Sequence, residues 1–280
     1  MNIFYTKTDL KAYLDVLKTQ EKQIGLVPTM GALHKGHISL LKKCAKENDV
    51  SVVSIFVNPT QFDNSDDLIK YPKTFKADAK LLEAANCDVI FAPSVQEIYL
   101  ENVAATTFNF EGLEDEMEGK YRLGHFNGVG TIVKTLFEIV EPHRAYFGQK
   151  DFQQLQIIKK MVASEQLPVL IKGCKIHREE DGLAMSSRNS RLTDAHRKVA
   201  PMIFKTLQEV QEKFTLEPVE SILKWVEDEF QKQPLLSLEY FTIADEKTLK
   251  NCVHKDPKTQ YRAFIAVFAG EIRLIDNVPL

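Results

Sequence analysis

The sequence predicts an α/β protein, a doubly wound parallel sheet followed by a smaller α+β region, and three observations carry that expectation. Strand-like and helix-like segments alternate as far as Cys174, the rhythm of strands joined by crossover helices. The clearest strands are continuous apolar or β-branched runs, as central parallel strands covered on both faces must be. Unusual polar residues collect just after Val27, Val57, Phe147 and Cys174, at the carboxyl ends of strands where such sheets bind ligands.

The elements follow in order. Residues 8–19 place Leu10, Tyr13, Leu14 and Leu17 at helical spacing, with Thr8 as the expected cap. Residues 24–27 form the first buried strand, which ends at Pro28. Residues 38–48 carry Leu40, Leu41 and Cys44 on one helical side, and residues 50–57 form a central strand stopped by Asn58-Pro59. Helices are expected over 74–85, 128–140 and 152–164, and strands over 89–91, 144–147 and 169–174. Beyond residue 176 the texture changes. Helices over 194–214 and 219–230 precede short strands over 239–243, 261–268 and 272–275, with Ala269-Gly270 turning the last pair. The expected division is a larger domain over 1–176 and a smaller one over 177–280.

Composition narrows the function. The 280 residues suffice for a full core, and 44% hydrophobic with 27% charged residues is ordinary for a globular protein. A net charge of −3, from 36 basic and 39 acidic residues, argues against nucleic acid as the main ligand. Cys44, Cys87, Cys174 and Cys252 are far apart and lie in or beside apolar stretches, so buried thiols in a reducing cytoplasm are expected rather than zinc or disulfides. The first residues lack a signal-peptide layout, and no apolar run approaches the length of a membrane span.

The chemistry concentrates in four stretches. In Leu26-Val-Pro-Thr-Met-Gly-Ala-Leu-His34-Lys-Gly-His37, a strand, a glycine turn and a helix opening bring two imidazoles to a helix N-terminus. Backbone N–H groups and the helix dipole favour an anion there, and Gly36 lets it approach closely. A phosphate is the expected ligand; no third ligand nearby supports a metal. Asn58 and Gln61 present amides after the second strand. Turn chemistry alone explains Asn58, whereas Gln61 offers a donor and an acceptor suited to a hydroxy acid or an amine. Asp78 reads either as a first-turn helix acid or as a metal-side carboxylate, and His125 either as a cap or as a functional imidazole. Lys150, after the 144–147 strand, would neutralise developing phosphate charge, with Gln154 one helical turn further on. Ser186, Ser187 and Arg188 offer several donors to a triphosphate, and Gly182 lets their loop move.

Together these stretches resemble the pantoate–β-alanine ligase (pantothenate synthetase) family, within the HIGH-type nucleotidyltransferases. Val27-Pro-Thr-Met-Gly-Ala-Leu-His34-Lys-Gly-His37 is similar to its HxGH signature, and Phe56-Val-Asn-Pro-Thr-Gln-Phe62 to its pantoate-site turn. Phe147-Gly-Gln-Lys-Asp-Phe-Gln-Gln154, Asp181-Gly-Leu-Ala-Met-Ser-Ser-Arg-Asn189 and Leu274-Ile-Asp-Asn277 match further segments in order and spacing. The resemblance implies a Rossmann-like first domain closed over by the smaller second one, in a cytoplasmic homodimer that uses Mg-ATP. It implies that pantoate is adenylated by ATP and that β-alanine then displaces AMP to give pantothenate.

Carried over residue by residue, the resemblance makes His34, His37, Lys150 and Arg188 catalytic, with His37 the proton donor. Met30, Gly31, Ala32, Leu33, His34, Lys35, Gly36 and His37 would line the ATP site. So would Gly148, Gln149, Lys150, Asp151, the backbone at His177, and Met185, Ser186, Ser187 and Arg188. Gln61, Gln154, Asn58 and Met30 would hold pantoate and β-alanine, with Asp78 on the Mg2+ side. His177 and Leu123 depart from the family pattern, where an apolar residue and a proline are usual. A cytidylyltransferase shares the first motif but leaves Gln61 and Gln154 without a role. A non-catalytic nucleotide-binding regulator leaves the complete set of His34, His37, Lys150 and Arg188 without one.

Overall fold

The structure, a computed structural model, describes residues 1–62, 68–69, 71–100 and 102–280. Its first unit comprises Met1–Gln149 and Gln154–Lys175, and its second Lys150–Gln153 and Ile176–Leu280. The short segment Lys150–Gln153 thus groups with the second unit, which a single cut along the chain does not anticipate.

The first unit is a six-stranded parallel sheet flanked by helices. The strands are β1 (Asn2–Phe4), β2 (Ile24–Thr29), β3 (Val50–Ile55), β4 (Val89–Phe91), β5 (Arg144–Gly148) and β6 (Leu170–Cys174), in the order β1-β4-β3-β2-β5-β6. From β2 the chain winds outward first through β3 and β4, then through β5 and β6. The direction reverses between β2 and β5, the switch point beyond whose carboxyl ends such sheets hold ligands. Both central strands are buried along most of their length, which accounts for their unbroken apolar runs.

Local chemistry explains where the helices begin. Helix α1 (Lys7–Thr19) is capped by Thr6, not Thr8, through a bond from the Asp9 N–H. Helix α2 (Lys35–Glu47) starts three residues before its apolar face because His34 is its cap. Helix α3 (Phe75–Ala84) covers the sheet with Leu82. Helix α4 (His125–Val140) starts earlier than its apolar pattern, after Gly124 turns the chain at φ +77°. Edge strand β1 is too short and exposed to show in the sequence.

The second unit packs helices against a three-stranded antiparallel sheet, β7 (Leu236–Asp245), β8 (Tyr261–Ala269) and β9 (Ile272–Pro279). The expected 194–214 helix is two helices, Asp194–Val199 and Met202–Leu216, because Pro201 cannot donate into a continuous ladder. Strand β9 runs past the polar pair Asp276-Asn277, both buried and paired, where the apolar pattern stops. Gly270 supplies φ +62° for the β8–β9 turn. Ile203, Leu207 and Val226 from the helices pack on Ile265 and Val267 of β8.

Candidate active site

In the first unit the functional turn grows directly out of β2. Gly31 takes φ +83° and Ala32 φ +49°, so the chain leaves the strand through two consecutive left-handed residues. Asp78, on the first turn of α3, holds this conformation. Its carboxylate accepts from the Ala32 N–H (3.0 Å), the Leu33 N–H (2.8 Å) and the Thr74 hydroxyl (3.0 Å), and the residue is only 2% exposed. The metal-side expectation for Asp78 competes with this role, because the same oxygens already brace the turn. Among the described residues no three His, Cys, Asp or Glu side chains come together to hold a metal.

The turn delivers His34 to the α2 cap and His37 to its third position. The Gly36 N–H donates to His34 Nδ1 (3.1 Å), and the His34 N–H donates to His37 Nδ1 (3.3 Å). The two rings lie 4.1 Å apart. Because each Nδ1 accepts, each neutral imidazole carries its proton on Nε2. The pair adds two fixed N–H donors to the positive end of a 13-residue helix, a constellation suited to phosphate oxygens.

Gln61 lies on the one-turn helix Pro59–Gln61 after β3, its amide donating to Met30 Sδ. Asn58 is buried at 1% exposure with both ends of its amide engaged. It donates to Gln61 Oε1 (3.2 Å) and the Gly128 carbonyl (3.0 Å), and accepts from Thr60 and Tyr99 hydroxyls. Engaged in this way within the chain, Asn58 orients Gln61. His125 does not cap α4; its Nδ1 bonds the Gln61 carbonyl at 2.7 Å, and its Nε2 lies 3.1 Å from Arg122. Tyr99 and His125 are thus supports of the Gln61 turn. In the sequence His125 shows only as an imidazole ahead of a helix, and Tyr99 gives no signal. Gly148 ends β5 in register with Cys174, followed by the turn Gln149–Asp151. Gln154, half-buried, sits in the first turn of the helix Phe152–Ser164, while Lys35 is exposed.

In the second unit, Lys150 is mostly covered and lies 3.4 Å from Asp151. Ser186 caps the one-turn helix Ser187–Arg191 through the Arg188 N–H (3.2 Å). The Met185 N–H donates to the His177 carbonyl (3.0 Å), so that carbonyl is engaged within the chain. Lys150, Ser186 and Asp276 line one small cavity. Gly182 is a tight-turn residue at φ +90°. A side chain there would strike Phe204, and Arg178 bonds the Gly182 carbonyl at 3.1 Å.

All four cysteines are buried free thiols. Burial pushes Cys44 up to about 12 and Cys87 to about 11, which removes them as nucleophiles. Among the described residues no helix is long and apolar enough to cross a membrane.

Comparison with known proteins gives one consistent result. The family model described as Pantoate-beta-alanine ligase matches residues 2–279. The pantothenate synthetase of Flavobacterium psychrophilum is 52% identical over 281 residues, covering 100% of both chains. That of Christiangramia forsetii is 51% identical, covering 100% of this chain and 99% of its own. Among solved structures, the pantothenate synthetase from Thermus thermophilus superposes with a TM-score of 0.92 at 38% identity, covering 99% of each chain. The pantoate-beta-alanine ligase from Francisella tularensis, complexed with beta-gamma ATP and beta-alanine, superposes with a TM-score of 0.83 at 35% identity, over 100% of this chain and 97% of that one.

Proposed function

Because the chain belongs to the pantoate-beta-alanine ligase family, a family of ligases, we propose that it forms pantothenate through a pantoyl adenylate. In the first step a pantoate carboxylate oxygen attacks the α-phosphorus of ATP, forming the O–P bond while the bond to pyrophosphate breaks. In the second, the neutral β-alanine amine attacks the acyl carbon. The acyl C–O bond breaks, AMP departs and the nitrogen loses a proton.

The observation that carries this reading is the imidazole pair at the α2 N-terminus, each Nδ1 tied to a backbone N–H. Neutral Nε2–H donors aimed from a helix start suit a triphosphate, and the His37 Nε2–H hydrogen-bonds the pyrophosphate oxygen on which charge develops as it leaves. A carboxylate needs no activation, so positioning and charge stabilisation do most of the work; good positioning is worth about 7–11 kcal/mol. Gln61, with Met30 beside it, and Gln154 hold pantoate through uncharged amides, and Gln61 also serves β-alanine. Lys150 and Arg188, with the Ser186 and Ser187 hydroxyls, neutralise the departing pyrophosphate. Gly31, Ala32, Leu33, Lys35, Gly36, Gly148, Gln149, Asp151, Met185 and the backbone at His177 complete the ATP contacts.

The Francisella tularensis ligase is complexed with beta-gamma ATP and beta-alanine, which supports ATP and β-alanine as substrates here. Mg2+ accompanies ATP, but the engaged carboxylate of Asp78 does not fit a ligand role. We place the enzyme in the cytoplasm, a compartment that suits four free thiols, and expect the family's homodimer.

The test is to mix the protein with Mg-ATP and pantoate, with and without β-alanine. Pyrophosphate release should require pantoate, and AMP with pantothenate should appear only when the amine is added. Release indifferent to pantoate would overturn the proposal.

A further inference from the structure

Asp276 and Asn277 interrupt the apolar pattern of β9, yet both are nearly fully buried, as is Arg262 on the neighbouring strand β8. Three buried polar residues in a sheet this small add little that apolar residues would not supply, since burying ionic groups costs about as much as their pairing returns. Their arrangement is directional. The Arg262 guanidinium donates to Asn277 Oδ1 at 2.6 Å and to Glu246 Oε1 at 2.8 Å. It also lies 4.1 Å over the ring of Phe152, which in turn packs on Phe264. At its other end the Asn277 amide donates Nδ2–H to the Lys150 carbonyl at 2.8 Å. Asp276 next to it accepts both arms of Arg178, at 2.6 and 3.0 Å, and the Asn277 N–H at 2.8 Å.

We propose that Asn277 is a positioning residue for Lys150, linking the donor-only guanidinium of Arg262 to the acceptor-only carbonyl of Lys150 and so fixing where the Lys150 ammonium is aimed. The link demands a side chain that accepts at one end and donates at the other; an amide does both, whereas a carboxylate cannot donate. Lys150 lies on the single turn Gln149–Asp151 that leads into the helix Phe152–Ser164, at the helix's entrance rather than inside it. Its carbonyl anchor therefore sets the stem from which the ammonium extends. Asp276 and Arg178 hold the same stretch of β9 from its other side, which keeps the anchor in register.

This inference rests on the proposed role of Lys150, and a double-mutant cycle separates the two. Asn277→Asp keeps an acceptor for Arg262 and deletes the donor to Lys150. Single-turnover pantoate-dependent pyrophosphate release is measured for the wild type, N277D, K150A and the double variant. Misplacement of a catalytic group by about 1 Å costs on the order of 100-fold, so N277D should lower the rate by about 10- to 100-fold. In the K150A background the same change should cost less than about threefold, because residues acting through one another are not additive. An equal loss in both backgrounds, or no loss in either, overturns the inference. A K150A variant as fast as wild type overturns the role of Lys150 instead. Thermal melts are taken alongside. Should N277D fail to fold, N277Q, which carries the amide one methylene further out, goes through the same cycle with the same deciding outcomes.

Discussion

Replacing Asp78 by alanine separates bracing from metal binding. In the structure the substitution strands the Ala32 and Leu33 N–H groups, bonded at 3.0 and 2.8 Å, and removes the partner of the Thr74 hydroxyl. A buried N–H without an acceptor costs about 1–3 kcal/mol. Leu33 is buried and Ala32 only partly so, which puts the sum near 3 kcal/mol. At about 2–4 °C per kcal/mol for a unit of this size, the melting temperature should fall by about 6–12 °C. The left-handed Gly31-Ala32 turn also loses what holds it, so the Km for ATP should rise with the His34–His37 pair no longer fixed. D78N keeps one carbonyl oxygen and should fall between D78A and wild type. The assays are thermal melts followed by circular dichroism and initial rates across a Mg2+ titration. A D78A protein that melts with the wild type but needs far more Mg2+ would refute the brace and make Asp78 a metal ligand.

Gln61→Ala should raise the Km for pantoate about 5- to 150-fold while leaving the Km for ATP within about twofold, the loss of a buried hydrogen bond to substrate being worth about 1–3 kcal/mol; steady-state kinetics decide it, and an unchanged pantoate Km would remove Gln61 from the site. Gly128→Ala, a change that normally favours a helix, should here destabilise by about 1–3 kcal/mol, as overpacking does. Its Cβ would lie 2.2 Å from the Thr60 carbonyl oxygen and 2.7 Å from Gln61 Cα, so the pantoate Km should rise with it. The thiols give a pH prediction. Unfolded cysteines ionise near pH 8.5 and buried Cys44 and Cys87 near 12 and 11, so above about pH 8.5 the unfolded state sheds protons that the native state keeps, and stability falls as pH rises. Native protein at pH 8 should leave both thiols untouched by a disulfide reagent over minutes, and denatured protein should react at once.

The parallel sheet was legible because burial on both faces writes itself as unbroken runs such as Val50–Ile55, and the strand–turn–helix into α2 because Gly31, Gly36 and two histidines interrupt the apolar pattern there. Asn58 and Asp78 stood out in the sequence, but the groups they bond did not: one sequence cannot say which backbone and side-chain groups an amide or carboxylate meets. The break at Pro201 was visible in the sequence and outweighed by the apolar pattern on either side. Strand β9 was cut short because the apolar pattern stops at Asp276 and Asn277. In the strand they pair with the guanidiniums of Arg178 and Arg262, which are distant in sequence.

The adenylate itself is tested by following oxygen. Pantoate labelled with 18O in its carboxylate is converted with ATP and β-alanine, and the phosphorus-containing products are analysed by mass spectrometry. If the carboxylate attacks the α-phosphorus and the amine then cleaves the acyl C–O bond, one labelled oxygen ends in AMP and none in pyrophosphate. Unlabelled AMP, or label found in inorganic phosphate beside ADP, would contradict the adenylate and with it the assignment of His34, His37 and Lys150 to the departing pyrophosphate.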